Sequence, residues 1–265
     1  MTSFALAPER RDAYLRRIGM ERPREADAAA LRALHRGHLR AVPFENLGIH
    51  LGEGLSLDPE ALAAKVIDRR RGGLCYELNG MFAALLTALG YEVALLNARP
   101  FAGDQPGPAF DHLALRVNTP EPWLVDVGFG RHAEFPLRLE ERGEQPDPGG
   151  VFRLEEVGDG DLDLSRDGEP QYRLEPRPRQ WQDFTMGCWW HGTSPDSHFA
   201  RSLVCSRLTD SGRITLSDRL LTVTEGGERR EERLTEAEAL AAYPEHFGFT
   251  LDRLPPAPPG PSAGS

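Results

Sequence analysis

Along the first ninety residues apolar side chains recur at helical spacing, and beyond them the pattern switches to alternation. Residues 25–39, EADAAALRALHRGHL, set Ala28, Leu31, Leu34 and Leu39 near one helical face, and Pro43 stops that helix. Asp58 followed by Pro59 supplies an N-cap and a first-turn proline for PEALAAKVID, which Gly72 and Gly73 terminate. The next helix opens at that glycine pair and runs through CYELNGMFAALLTAL to Gly90.

After Gly90 come YEVALLNARPF, DHLALRV and PWLVDVGF, short β-branched or leucine-rich runs separated by Pro, Gly, Asn and Asp, which predict antiparallel strands. FRLEEV, DLDLS and YRLEPR extend the series between turn-rich segments at 141–150 and 158–170, so this region reads as a barrel or sandwich. From about residue 194 the pattern is mixed. SLVCSRL, GRITLSDRLLTVTE and EERL read as strands with Gly226 and Gly227 at a turn, and Thr235 with Glu238 makes a capping box for EAEALAAY. The closing PPAPPGPSAGS is too rich in proline and glycine to fold and is expected to be disordered.

Composition narrows the class. With 265 residues, 40% of them apolar, the chain can bury a sizeable core without disulfides or metals. Cys75, Cys188 and Cys205 are odd in number, far apart and without a CxxC pair, which argues against a disulfide framework or zinc ribbon and for a reducing cytosol. The start MTSFALAPERRDAY does not read as a secretory signal, and no apolar run reaches the roughly 20 residues that span a bilayer. A net charge of -10 speaks against nucleic-acid binding, and the run Arg69 to Arg71 reads as a solvated helix end. CWWH from Cys188, with His198 and Cys205, does not have the spacing of a closed zinc site, so no metal is expected. Its adjacent tryptophans read as packing between two parts of the fold.

RGGLCYELNG carries the most chemistry. Two glycines before a cysteine that opens an apolar helix put the thiol where unpaired N–H groups and the positive end of the helix dipole favour a thiolate nucleophile. A buried cysteine acting as a small hydrophobe is the competing reading. His112 begins one predicted strand and Asp126 ends the next. Pairing centred on the NTPEP turn sets the two on one sheet face, a diagonal pair apart. An imidazole there can serve Cys75 as base, with the carboxylate fixing its tautomer. Taken singly, each has a plainer reading, the histidine as a surface residue and the aspartate as part of a turn.

RGGLCYELNG, VPFENL from Val42, DHLALRV and LVDVGFG resemble the hallmark segments of the arylamine N-acetyltransferases, in that order and at similar separations. YLRRIG at Tyr14, LHRGHLRAVPFENL from Leu34, SPDSHF at Ser194 and FGFTL extend the resemblance from residue 14 to about 251. It implies an α+β fold with a cysteine-protease-like catalytic core. Residues 1–90 would be a helical bundle carrying the nucleophile, 91–193 an antiparallel β-barrel carrying the histidine and aspartate, 194–254 an α/β lid, and 255–265 a tail. It also implies a Cys75, His112, Asp126 triad that moves an acetyl group from acetyl-CoA, by double displacement, to an arylamine or arylhydrazine, as in xenobiotic metabolism in the cytoplasm.

By the same resemblance Phe44, Phe129, Phe199 and Tyr76 would bind the aromatic acceptor, and Gly128 and Gly130 the CoA moiety; because the chain is acidic overall, the cofactor's phosphates need a local positive patch, for which Arg131 is the candidate. Glu45 and Arg71 read as a pair pinning the loop before the Cys75 helix, and Asn79 as either buried support or solvent-facing. Leu74 and Tyr76 depart from the aromatic residue and phenylalanine that many members carry around the cysteine, which leaves acceptor choice open. So does the existence of relatives that release carrier-bound polyketides as macrolactams. Cysteine hydrolysis and a non-catalytic binding role are the more distant alternatives, and a homo-oligomer is left open.

Overall fold

The structure is a computed structural model that describes residues 5–256. The part of the proline-rich tail from residue 257 onward, expected to be disordered, lies outside the described residues. Helices α1 (Pro8–Arg17), α2 (Ala28–Ala41), α3 (Leu47–His50) and α4 (Pro59–Ala63) surround α5 (Cys75–Ala88), with the two-residue strand β1 (Phe44–Glu45) between α2 and α3. Asp27 caps α2 by accepting from the Ala30 N–H at 2.8 Å, and Asp58 does the same for Ala61 in α4. From Cys75 to Leu86 every residue of α5 is buried, as its nearly continuous apolar run requires. Its end is closed by Tyr91 N–H to Leu86 and Gly90 N–H to Thr87.

PEALAAKVID does not form one α-helix. After Ala63 the chain widens into a π-turn, Ala64–Asp68, which carries Lys65 inward to Glu77. Nor do Gly72 and Gly73 terminate a helix. They run beside Phe44 and Glu45, where a Cβ on Gly72 would sit 1.8 Å from the Pro43 carbonyl oxygen and one on Gly73 would strike the Glu77 carboxylate. Close approach, rather than a turn, demands those glycines.

The second layer is a nine-stranded antiparallel sheet built from β2 (Glu92–Ala102), β3 (Gln105–Pro106), β4 (His112–Asn118), β5 (Pro122–Val125), β6 (Leu137–Arg138), β7 (Gln145–Asp147), β8 (Gly150–Glu156), β9 (Leu162–Arg166) and β10 (Glu169–Arg179). Its order is β6-β5-β4-β2-β10-β9-β8-β7, with β3 paired to β2. The end strands β6 and β7 are joined by side chains. Gln145 accepts from Arg138 N–H and donates to Arg138 O, and Asp147 accepts from Glu134 and Phe135 N–H groups. The sheet therefore curls into a nearly closed barrel around Phe152, Leu164, Tyr172 and Leu174. The other face of β4 and β5 (Leu113, Leu115, Val117, Val125) joins the helical core around α5.

Helix α6 (Thr185–Thr193) leads into strands β11 (Val204–Leu208), β12 (Gly212–Ser217), β13 (Leu220–Glu225) and β14 (Glu228–Arg233) and then helix α7 (Glu236–Ala242). β1 pairs with β11 and completes a five-stranded sheet. The edge strand β14, ERREER, is exposed throughout, and its charges guard an open ladder. Thr235 and Glu238 make the expected capping box. Trp189 and Trp190 do not pack between layers but are 58% and 44% exposed, with Met186 beside them. Trp181 fills the interior role, its ring over Gly80 of α5 and its indole N–H on Leu57 O. Among the described residues no helix is long and apolar enough to cross a membrane.

Candidate active site

Leu74 takes the N-cap position of α5 and Cys75 is the first helical residue, so the sulfur lies at the helix mouth, 4% exposed. Glu77, in the first turn, accepts from the Leu74 N–H and is itself held by Lys65 Nζ at 2.8 and 2.9 Å. Arg71 reaches Glu45 at 3.0 and 3.2 Å, the pair read from the sequence. These two buried ion pairs fix the loop that delivers the cysteine.

The register of β4 and β5 pairs Leu115 with Val125 and Arg116 with Leu124. Continued by one residue it sets Asp126 opposite Ala114, with His112 two residues away on the same face. His112 Nε2 stands 2.7 Å from Asp126 Oδ2, and the ring lies near enough to the Cys75 sulfur for the two to influence each other's charge. All three side chains are buried. Burial alone would push the His112 pKa down, but the Asp126 carboxylate and the Cys75 sulfur outweigh it and hold the value up at about 10. Burial likewise works to raise Asp126, yet His112 holds its carboxyl far below the usual carboxylate range. An imidazolium between a carboxylate and a sulfur is the arrangement that activates a thiol nucleophile.

Asn79, one turn after Cys75, is fully buried. Its amide donates to Leu113 O at 2.6 Å and Asp126 Oδ1 at 2.9 Å and accepts from the Val127 N–H at 2.9 Å. It bolts the helix that carries Cys75 to strand β4, which carries His112, and to Asp126 and Val127 just beyond β5. Gly128 N–H gives Asp126 Oδ1 a further donor at 2.9 Å, and its Cα packs so tightly that a Cβ would lie 2.6 Å from the Cys75 Cα. Two more groups line this centre from the barrel. Tyr172 and His132 stack around Phe129, and burial pushes His132 down to about 4, so it stays neutral beside Asp126. Asn79 takes the first of the two roles read for it from the sequence, buried support, whereas Tyr172 and His132 come near only once the barrel closes.

Phe129 meets the His112 ring edge-on at 5.0 Å, and Phe44 and Phe199 face each other at 6.1 Å, all three half-buried. A Cβ added at Gly130, at φ +86°, would lie 3.9 Å from the Phe44 ring, which places this turn next to the second group. Tyr76 is fully buried, with its hydroxyl on the Phe110 and Asp111 carbonyls at 2.9 and 3.0 Å. Arg131 is exposed, its carbonyl accepts from Arg166 Nη1, and its charge joins burial in pushing Arg213 down to about 10. Arg131, Arg166 and Arg213 thus form a local positive cluster on an acidic protein. Among the described residues no group of acids, histidines and cysteines could hold a metal.

A sequence model of the family described as N-acetyltransferase matches residues 27–254. An arylamine N-acetyltransferase of Mycolicibacterium smegmatis is 38% identical over 253 residues, covering 91% of this chain and 92% of its own. A solved Mycobacterium smegmatis arylamine N-acetyltransferase superposes with a TM-score of 0.83 at 40% identity, covering 90% of this chain and 92% of the other. The Mycobacterium marinum arylamine N-acetyltransferase solved in complex with CoA gives 0.81 at 36% identity, over 89% and 92%.

Proposed function

This chain belongs to the arylamine N-acetyltransferase family, and from that premise we propose that it carries an acetyl group from acetyl-CoA, through a thioester on Cys75, to an arylamine or arylhydrazine. The observation that bears most weight is the buried His112–Asp126 hydrogen bond set beside Cys75 at the mouth of a buried helix.

The Cys75 thiolate attacks the thioester carbonyl, a new carbon–sulfur bond forms, and the bond to CoA breaks. The departing sulfur takes the His112 proton, which leaves a neutral imidazole. Exchange of one thioester for another is nearly isoenergetic, so the acetyl group keeps its reactivity while it waits. An amine then attacks the Cys75 thioester, His112 accepts the N–H proton, and the amide leaves with the thiolate and imidazolium restored. Asp126 stays ionised throughout and orients the ring.

Phe44, Phe129 and Phe199 supply an apolar slot for the acceptor, with Tyr76 behind it fixing the backbone that enters β4. Gly128 and Gly130 let backbone approach the pantetheine arm and pyrophosphate. Arg131, with Arg166 and Arg213, supplies the positive charge that CoA phosphates need. The homologue solved with CoA supports a donor of that kind.

The test is to mix the protein with acetyl-CoA alone, follow intact mass, and then add aromatic amines. One acetyl adduct on Cys75, absent in Cys75→Ala and discharged by amines, is the expected result. No adduct, or an adduct lost to water as fast as to amine, would overturn the reading in favour of a binding protein or a hydrolase.

A further inference from the structure

His191 lies in the last turn of α6, its ring 4% exposed, and takes no part in the chemistry above. Its Nε2 is 2.8 Å from Asp111 Oδ1 and its Nδ1 is 3.0 Å from Ser197 Oγ. Asp111 immediately precedes His112, and Ser197 comes two residues before Phe199. With Asp111 ionised, Nε2 carries the proton and donates to it, so Nδ1 accepts from the Ser197 hydroxyl. The Ser197 oxygen in turn accepts from the Phe199 N–H at 3.3 Å. One imidazole therefore joins the entry to the catalytic strand to the loop that presents a slot aromatic, and its ring also meets the Phe199 ring edge-on at 5.0 Å.

The two ends differ in how else they are held. Phe110, next to Asp111, is a non-glycine residue at φ +63°, and its N–H donates to Asn97 Oδ1 while Tyr76 donates to the carbonyls of 110 and 111. That end is rigid without His191. Phe199 is tied through its carbonyl to Asn46 Nδ2 and His50 Nε2 at 2.9 and 3.0 Å, contacts that fix the backbone oxygen, so its ring is placed by its neighbours His191 and His198, the latter at 3.7 Å between centroids.

We propose that His191 is a positioning residue for acceptor specificity, holding the Phe199 wall at a set distance from the His112 strand through the Asp111–His191–Ser197 link. This rests on the reading of Phe199 as part of the acceptor slot.

The test separates the two half-reactions by rapid mixing: acetylation of Cys75 by acetyl-CoA, and discharge by a series of anilines of increasing para-substituent size. His191→Leu is expected to acetylate within about twofold of the parent. It should lose about tenfold in discharge kcat/KM for the best acceptors, with discrimination along the series flattened, as removal of a coupled positional contact of about 1.4 kcal/mol gives. Asp111→Ala should reproduce that profile, add little to His191→Leu in the double variant, and be rescued by Asp111→Asn, which keeps the acceptor oxygen. Ser197→Ala carries the test if His191→Leu does not fold. Parental acceptor ratios in these variants, or equal losses in both half-reactions, overturn the proposal whatever happens to Tm. A parent that never acetylates Cys75 would instead sink the underlying reading.

Discussion

Asn79 spends its one amide on three partners, two of which, Asp126 Oδ1 and Leu113 O, belong to the strands that carry the triad. Asn79→Ala strands those groups away from water, so we expect a loss of about 2–3 kcal/mol in urea unfolding and, because α5 can then shift against the strands, about a hundredfold slower Cys75 acetylation. Titration tests the triad from another side. His112 is raised to about 10, so the stability it contributes is full below its unfolded value near 6.5 and is lost as pH rises through about 10. Burial lowers His35, His38 and His132, so the stability they contribute is full above that unfolded value and is lost as pH falls below it. A plot of Tm against pH should therefore be a dome, and His112→Asn should flatten its alkaline limb while also altering the acid limb, because His112 holds Asp126 low; an unchanged alkaline limb would remove the imidazolium. That Cys75, His112 and Asp126 meet was legible because a glycine pair before an apolar helix and a short turn between strands are local signals. Tyr172 and His132 were not, since alternation says only that a side chain points inward, not which other strand it meets.

The loop and first turn that present Cys75 owe their shape to Lys65–Glu77 and Glu45–Arg71, four charged side chains with almost no exposure. Glu77 does two jobs, capping Leu74 N–H and balancing Lys65. Lys65→Met leaves its carboxylate buried without a counter-charge, and we expect about 3–5 kcal/mol of destabilisation. Adding Glu77→Gln removes the charge but keeps an oxygen for Leu74, so the double variant should recover most of that loss. If it unfolds as readily as Lys65→Met, the cost is packing around the lysine stem rather than charge. The sequence pattern located the ten longer strands and the capped helix starts, because caps and alternation are written in neighbouring residues, but not the two- and three-residue strands β1, β3, β6 and β7, too short to show alternation. It missed the π-turn after Ala63 and the extended path of Gly72 and Gly73, both of which answer to contacts with Glu77 and Pro43. The pair Trp189 and Trp190 misled for a related reason: hydrophobicity marks what could be buried, and α6 turns them outward.

The described residues hold three apolar clusters, around α5, inside the barrel and beneath α7, and the first of them crosses the boundaries expected from the sequence. The largest apolar cluster takes α1, α2, α4 and α5 from the first stretch, the outer face of β4 and β5 from the second, and Cys188 of α6. The third stretch is stitched back to the first: β1 pairs with β11, Asn46 bonds Phe199, Ser202 and Val204, and Arg207 Nη1 donates to Arg40 O. Removing any stretch would bare apolar surface on the others, so the chain should unfold as one unit. Two cysteines report on this. Burial pushes Cys188 up to about 12 and Cys205 well above its ordinary value, so in the native state both are protonated and react far more slowly with an alkylating reagent than a thiolate does. With Cys75 blocked first, pulses of iodoacetamide along a urea series should label Cys188, in the helical core, and Cys205, beneath α7, at one midpoint that coincides with loss of the far-ultraviolet circular dichroism. Release of Cys205 at clearly lower urea would mean that the β11–β14 sheet opens by itself. The β1–β11 pairing would then be a weak latch rather than part of the cooperative core, and the slot wall at Phe199 would be free to move while the triad stays intact.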